Sequence, residues 1–404
     1  GLENMMKYII VLGDGMADEP IQSLEGKTPM MAAHTPCMDA LAKKSEIGLV
    51  KTIPEGMSPG SDTANLSVLG YDPRIYYSGR SPLEALSIGV DLDDTDIALR
   101  CNLVTLSEDG EYENKVIIDH SSGEISTEDA AVLINEVKNK FENEIYKFYV
   151  GTSYRHLTVW KEGEVVPLSQ PHDILGKVIG DYLPKDPALK KMMKNSFDIL
   201  NNHPINIERK NKGLNKANSI WFWGAGTRPA LTSFEEKYQK KGVMISAVDL
   251  LKGIAVGAGM KVIEVPGANG TLHTNYEGKA KAALDVLLQE NYDFVYIHVE
   301  APDEMGHQGN VMNKIKAIEY LDQRVIKPVM DGLEKAGVDY RLLVMPDHPT
   351  PIRCRTHTAD PVPYLLYDSR EDKNSIYLFN EIDAAKSGIV ISEGHTVIGR
   401  LFHQ

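Results

Sequence analysis

The chain has 404 residues, 42% hydrophobic and 25% charged, the proportions of an ordinary folded protein built from a large domain and a smaller one, with no disordered or low-complexity tract. Its 57 Asp and Glu outnumber 43 Lys and Arg, and the formal net charge of −14 repels phosphate backbones and anionic lipid, so neither nucleic acid nor membrane is an expected partner. Cys37, Cys101 and Cys354 stand far apart outside any CxxC pattern, no apolar run nears the length of a membrane span and no signal-peptide pattern opens the chain; a cytoplasmic protein is expected, with Met5 or Met6 as its natural start.

Residues 7–12 (KYIIVL) are a short apolar, β-branched run stopped by Gly13-Asp14-Gly15, the pattern of a buried strand ending in a tight loop. A helix-like stretch follows at 38–45. Pro59-Gly60-Ser61-Asp62-Thr63 then precedes a helical run ending near Gly70, which makes Ser61 a candidate helix N-cap. Residues 91–183 change character. Apolar runs at 98–105, 115–119, 146–150 and 156–160 surround one helical stretch at 127–141, which reads as a small α+β domain inserted into the main one. The expected organisation is therefore a core at 1–90 and 184–404, with an inserted substrate or lid domain at 91–183. Beyond the insertion, a helix at 278–289 leads to a strand at 292–299 that runs into Glu300-Ala301-Pro302-Asp303. A helix at 314–335 leads to a strand at 340–345 that runs into Pro346-Asp347-His348. Strands alternating with helices imply an α/β fold with a parallel sheet sandwiched by helices. Ligands of such sheets bind beyond the carboxyl ends of the strands, where the three acidic loops would meet.

The chemistry-bearing residues concentrate in those loops. Asp303-Glu304-Met305-Gly306-His307, the tandem Asp347-His348 and His357 nine residues later offer carboxylate oxygens and imidazole nitrogens without cysteine, the donor set of a catalytic metal with open positions. Each member also has a plain structural reading, Asp303 as an N-cap and His307 as a surface histidine. Two Asp–His pairs just past buried strands, joined by a third histidine, are harder to obtain from packing alone. Asp14 reads by itself as a turn residue between glycines, and in context as a third carboxylate at the same sheet edge. Ser61, at the positive end of a helix, is placed both to cap it and to act as a nucleophile toward a phosphoryl group. Two cations close together would activate that oxygen and neutralise a transferring phosphoryl group. Two divalent ions are thus expected, Mn²⁺ or Mg²⁺, with Zn²⁺ an alternative in isolated protein.

The motifs GDGMAD (13–18), PGSDTANLSVLGYDP (59–73), DEMGH (303–307), DHPTP (347–351) and HTADPVP (357–363) together resemble those of the cofactor-independent phosphoglycerate mutases of the archaeal type, in the alkaline phosphatase superfamily. The resemblance spans nearly the whole chain and is weakest at about 105–215. It implies an alkaline-phosphatase-like core and interconversion of 2- and 3-phosphoglycerate. In that scheme Ser61 is transiently phosphorylated, Asp14, Ser61, Asp347 and His348 surround one metal, and Asp303, His307 and His357 hold the other. The chain departs from the family in having Asn65 where a histidine is usual, and Asp119-His120-Ser121-Ser122-Gly123 where an Arg-rich stretch is usual. Those departures, with the VEAPDEMGH motif, keep two alternatives in view: a homoserine kinase-like phosphotransferase, or a metal-dependent phosphatase or phosphodiesterase. His120, Arg155, Arg228 and Lys279 are the candidate contacts to a small phosphorylated substrate. A homo-oligomer is compatible with the sequence.

Overall fold

In the computed structural model the described residues are 6–403, and an expected start at Met5 lies outside them. The chain divides into two compact units, the first running to Tyr77 and resuming at Ala230, the second spanning Ser78–Pro229. The strands are β1 (Lys7–Gly13) and β2 (Glu46–Val50) of the first unit, then β3 (Ile97–Leu106), β4 (Ile117–Asp119), β5 (Tyr146–Thr152), β6 (Arg155–Trp160) and β7 (Ser219–Thr227) of the second. The chain returns to the first unit with β8 (Gly242–Ile245), β9 (Lys261–Ile263), β10 (Phe294–Val299), β11 (Tyr340–Met345), β12 (Val362–Asp368) and β13 (Val390–Ile391). The helices that bear on function are α1 (Ser61–Val68), α2 (Thr127–Phe141), α3 (Tyr276–Leu288), α4 (Ala301–His307) and α5 (Val311–Leu321). Among the described residues no helix is long and apolar enough to cross a membrane.

In the first unit eight strands form one sheet in the order β13-β2-β12-β11-β1-β10-β8-β9. Every residue of β10 and β11 is buried, the signature of strands covered on both faces by helices. The expected parallel sheet is present at its centre, where β1 runs parallel to both β10 and β11, but β12 runs antiparallel to β11 and to β2, so the whole sheet is mixed. The helix expected at 314–335 is one rod with a π-helical turn at Asp322–Ile326 between α5 and a helix over Lys327–Lys335. Buried Asp322 accepts the backbone N–H groups of Cys37 and Met38 (3.1 and 2.6 Å), satisfying the start of the Pro36–Ala42 helix.

The second unit is wider than the 91–183 expected for the insertion. β7 pairs with β3 from Ile97↔Thr227 to Val104↔Ser219, and the Arg80–Ser87 helix packs on both strands, so 78–90 and 184–229 belong to the same body. Leu99, Cys101, Leu103, Trp221 and Phe222 make its core together with Leu133 and Val137 of α2.

Candidate active site and metal centre

Because β10, β1 and β11 are neighbours, their carboxyl ends bring Asp14, Asp303 and Asp347 to one place although nearly three hundred residues or more separate Asp14 from the other two in the chain. The turn after β1 depends on Gly15, whose φ of +63° favours glycine and whose missing Cβ would collide with the Thr350 and Asp303 side chains. Its N–H donates to Asp347 Oδ1 (2.9 Å). Asp303 sits within α4 rather than in a loop or at an N-cap. The four-residue spacing to His307 therefore puts both on one helix face, Nε2 to Oδ2 3.2 Å. Ser61 is likewise not a cap: Gly60 holds that position, and the Ser61 hydroxyl faces His348 Nε2 at 3.3 Å.

The imidazoles are oriented from behind. His348 Nδ1 lies 3.0 Å from the Pro349 carbonyl, His357 Nδ1 3.1 Å from that of Pro59, and His307 Nδ1 2.9 Å from that of Arg355. A carbonyl only accepts, so each Nδ1 carries the hydrogen, and in the neutral ring each Nε2 keeps a lone pair directed inward. His348 Nε2 then lies 3.3 Å from Asp14 Oδ1 and from Asp347 Oδ2, His357 Nε2 3.2 Å from Asp303 Oδ1, and the Nε2 atoms of His307 and His357 are 3.1 Å apart. Lone pairs facing carboxylates and one another repel unless protons or cations lie between them. Two donor groups are compact enough for an ion, Asp14 with Asp347 and His348, and Asp303 with His348 and His357. His348 thus borders both groups instead of one, and His307 joins the second through Asp303.

The electrostatics fit a divalent cation. Asp14 is buried with Oδ1 lacking any hydrogen-bond partner, and burial together with the Asp303 and Asp347 carboxylates pushes its carboxyl well above the usual range. Burial acts the same way on Asp303, but with no cation between them hydrogen bonds from His307 and His357, which need a proton at Nε2 in place of the lone pair, outweigh it and hold that carboxyl well below its ordinary value. His307 is correspondingly raised to about 9, chiefly by its hydrogen bond to Asp303. An orphaned carboxylate oxygen, crowded negative charge and an oxygen–nitrogen donor set without thiolate are what Mn²⁺, Mg²⁺ or Zn²⁺ would satisfy.

Several supporting residues carry roles that the motifs did not assign to them. Tyr296 donates to Asn65 Oδ1 (2.5 Å), which fixes the amide so that Nδ2 donates to Asp347 Oδ2 (3.0 Å) and to the Ser61 carbonyl (2.8 Å). Thr350 Oγ1 donates to Asp303 Oδ1 (2.5 Å), and His298 Nε2 contacts Asp14 Oδ2 at 3.1 Å. Buried Lys314 ties three points together: Nζ donates to Asp18 Oδ2 (2.9 Å) and to the Thr350 and Ala17 carbonyls (2.9 and 3.2 Å). The position of Asn65, one turn after Ser61, was the available signal for its role.

Of the four substrate-contact candidates, His120 and Arg155 line a pocket of about 370 Å³ within the second unit, with Arg80, Arg100, Asn102, Tyr154, His172 and Trp223. Arg100 is buried there, its guanidinium 4.8 Å above Trp223 and its Nη1 on Glu84 Oε1 (2.9 Å), yet its Nε and the His120 Nδ1 have no partner. Arg228 does not line this pocket; it is exposed and pairs with Asp94 at 3.5 Å. Lys279 is not accessible at all. It lies on the buried face of α3 with Nζ donating to the His298 carbonyl (2.6 Å), and burial lowers its pKa to about 8.

Residues 42–206 match the family model described as 2,3-bisphosphoglycerate-independent phosphoglycerate mutase. A Geobacter sulfurreducens protein described as a probable 2,3-bisphosphoglycerate-independent phosphoglycerate mutase is 50% identical, with 96% of this chain and 98% of that protein covered. The 2,3-bisphosphoglycerate-independent phosphoglycerate mutase of Methanosarcina barkeri is 49% identical, with 98% and 99% covered. Among solved structures, the cofactor-independent phosphoglycerate mutase of Thermoplasma acidophilum superposes with a TM-score of 0.67 at 28% identity, covering 98% of this chain and 99% of that one.

Proposed function

Since the chain belongs to the 2,3-bisphosphoglycerate-independent phosphoglycerate mutases, we propose that it interconverts 2- and 3-phosphoglycerate through a phosphoserine on Ser61 beside two divalent cations. The observation that carries this reading is the convergence of three Nε2 atoms and three carboxylates at one place, with the Ser61 hydroxyl 3.3 Å from His348 Nε2. Asp14, Asp347 and His348 would hold one cation and Asp303, His357 and His307 the other, with His348 bordering both. Bound there, the cations would supply charge neutralisation for the phosphoryl oxygens.

The chain's own groups divide the remaining work. Ser61 Oγ forms the bond to phosphorus as the glycerate oxygen leaves, and the other glycerate hydroxyl later takes the phosphoryl back. Its place as the first residue of α1 sets the phosphate at the positive end of that helix, where the Thr63 and Ala64 N–H groups are already taken by Asp62 Oδ1 and the Gly60 carbonyl. Asn65 joins the Ser61 backbone to Asp347, so the nucleophile and a ligand move as one. Within the second unit, the pocket of Arg100, Arg155, His120 and Asn102 suits a small anion, because the unpartnered Arg100 Nε and the neighbouring donors offer charge-assisted hydrogen bonds.

The test is ³¹P NMR of 3-phosphoglycerate with Mn²⁺-loaded protein and no bisphosphoglycerate. The expected result is a 2-phosphoglycerate signal that disappears with chelator and in Ser61→Ala. Accumulation of inorganic phosphate alone, or turnover only with ATP and homoserine, would overturn the mutase reading in favour of a phosphatase or a kinase.

A further inference from the structure

We propose that His298 is a positioning residue for Asp14, held by Ser246 in the one neutral tautomer that leaves Asp14 Oδ1 free to face a divalent cation; this rests on the two-metal reading above. The argument is a chain of donors with a single consistent direction. The Val248 N–H donates to Ser246 Oγ (3.0 Å), so the Ser246 hydroxyl hydrogen is available to His298 Nδ1, 3.3 Å away. Asp14 Oδ2, 3.1 Å from Nε2, can only accept when the carboxylate is ionised, so Nε2 is the donor and Nδ1 takes the Ser246 hydroxyl hydrogen. The other carboxylate oxygen, Oδ1, is buried with no partner and lies 3.3 Å from His348 Nε2.

The arrangement resembles a Ser–His–Asp triad in composition but not in use. Ser246 and His298 are 3% and 1% exposed, so neither reaches a substrate, and what the pair leaves unpartnered is the far oxygen of Asp14. The imidazole is fixed along its backbone as well: His298 is in register with Leu12 across β10 and β1, and its carbonyl accepts Lys279 Nζ (2.6 Å). A ring locked at both ends holds the carboxylate against rotation, and outer hydrogen bonds of this kind typically change metal affinity by about 10–100-fold when removed.

Metal-stripped full-length protein is titrated with Mn²⁺ by calorimetry, with bound Mn²⁺ counted by electron paramagnetic resonance. Wild type is expected to bind two ions. In His298→Leu one of the two affinities should fall by about 10–100-fold while the other stays within about threefold. His298→Gln, which retains an N–H donor, should recover part of the loss. Ser246→Ala should show a smaller loss at the same site, and it carries the test by itself should His298→Leu fail to fold. Melting of the metal-free proteins separates lost affinity from lost structure. Unchanged affinity at both sites in these variants, or an equal loss at both, overturns the assignment while leaving the two-metal reading intact. Absence of Mn²⁺ binding by the wild type overturns both.

Discussion

Replacing Lys314 by methionine removes one ammonium from a fully buried ion pair and should lower the stability of the protein by about 3–5 kcal/mol. The magnitude follows from what the three N–H bonds of Nζ reach. The Thr350 carbonyl would lose its donor, at about 1–3 kcal/mol for a buried acceptor left unmet, while the Ala17 carbonyl keeps the Thr350 N–H (3.2 Å). Asp18 would lose its counter-charge but keep the Ile352 and Glu19 N–H groups, which limits the penalty on that side. Methionine fills nearly the same volume, so the loss is electrostatic rather than a cavity effect. The assay is urea unfolding followed by circular dichroism with chelator present, so that metal linkage does not enter. The double variant Lys314→Met with Asp18→Asn should recover part of the loss, because it removes the stranded charge. A difference below about 1 kcal/mol for the single variant would refute the reasoning, since no buried pair of this geometry should be that cheap to break.

Gly15→Ala forces a side chain into a left-handed residue at about 1–2 kcal/mol and drives a Cβ into Asp303 and Thr350, so a lower melting temperature and weaker Mn²⁺ binding are both expected. Calorimetric affinity equal to wild type would contradict this. Arg100→Leu should weaken calorimetric binding of a small carboxylate anion tenfold or more, from the roughly 1.5–3 kcal/mol of a charge-assisted hydrogen bond, with Mn²⁺ affinity unchanged; Glu84 keeps Arg80 as a partner, so the fold should survive. The third expectation concerns pH. Buried His156 accepts the Gly151 N–H through Nδ1, and burial depresses its pKa from 6.5 to about 4. The unfolded chain takes a proton that the folded one refuses, so stability contributed above pH 6.5 is lost as pH falls through that window, by about 2 kcal/mol at pH 5 and about 3 at pH 4. Acid titration of His156→Asn should show a slope flatter by close to one proton between those values, and parallel curves would refute it.

The site was legible where chemistry and position coincided. Asp14, Asp303 and Asp347 each follow a run apolar enough to be a buried strand, so residue type and strand end together pointed to one edge. His298 was not legible because it lies inside such a run, where alternation assigns it to packing and only the β1–β10 register reveals Asp14 beside it. Lys279 was misjudged through a general rule about lysine, although its spacing from Tyr276, Ala280, Ala283, Val286 and Leu287 already put it on the inner face of α3. The bounds of the second unit depended on β7 pairing with β3 across more than a hundred residues, and nothing local in SIWFWGAGT names that partner. Asp303 on a helix rather than a loop was hidden by Pro302, which reads as a breaker but is tolerated in a helix's first turn.

The strand order sets a timetable for synthesis. β1 emerges first from the ribosome, yet its two sheet neighbours are β10 and β11, encoded almost three hundred residues later or more. The second unit is contiguous from Ser78 to Pro229, so all of its own strands are available while β1 still waits unpaired. Pairing across such separations is slow because the chain entropy of a long loop must be lost before any contact forms. The cleft that gathers Asp14, Asp303 and Asp347 is therefore assembled only after β11 has emerged, and a nascent chain truncated before β11 has neither the centre of the sheet nor a complete set of ligands.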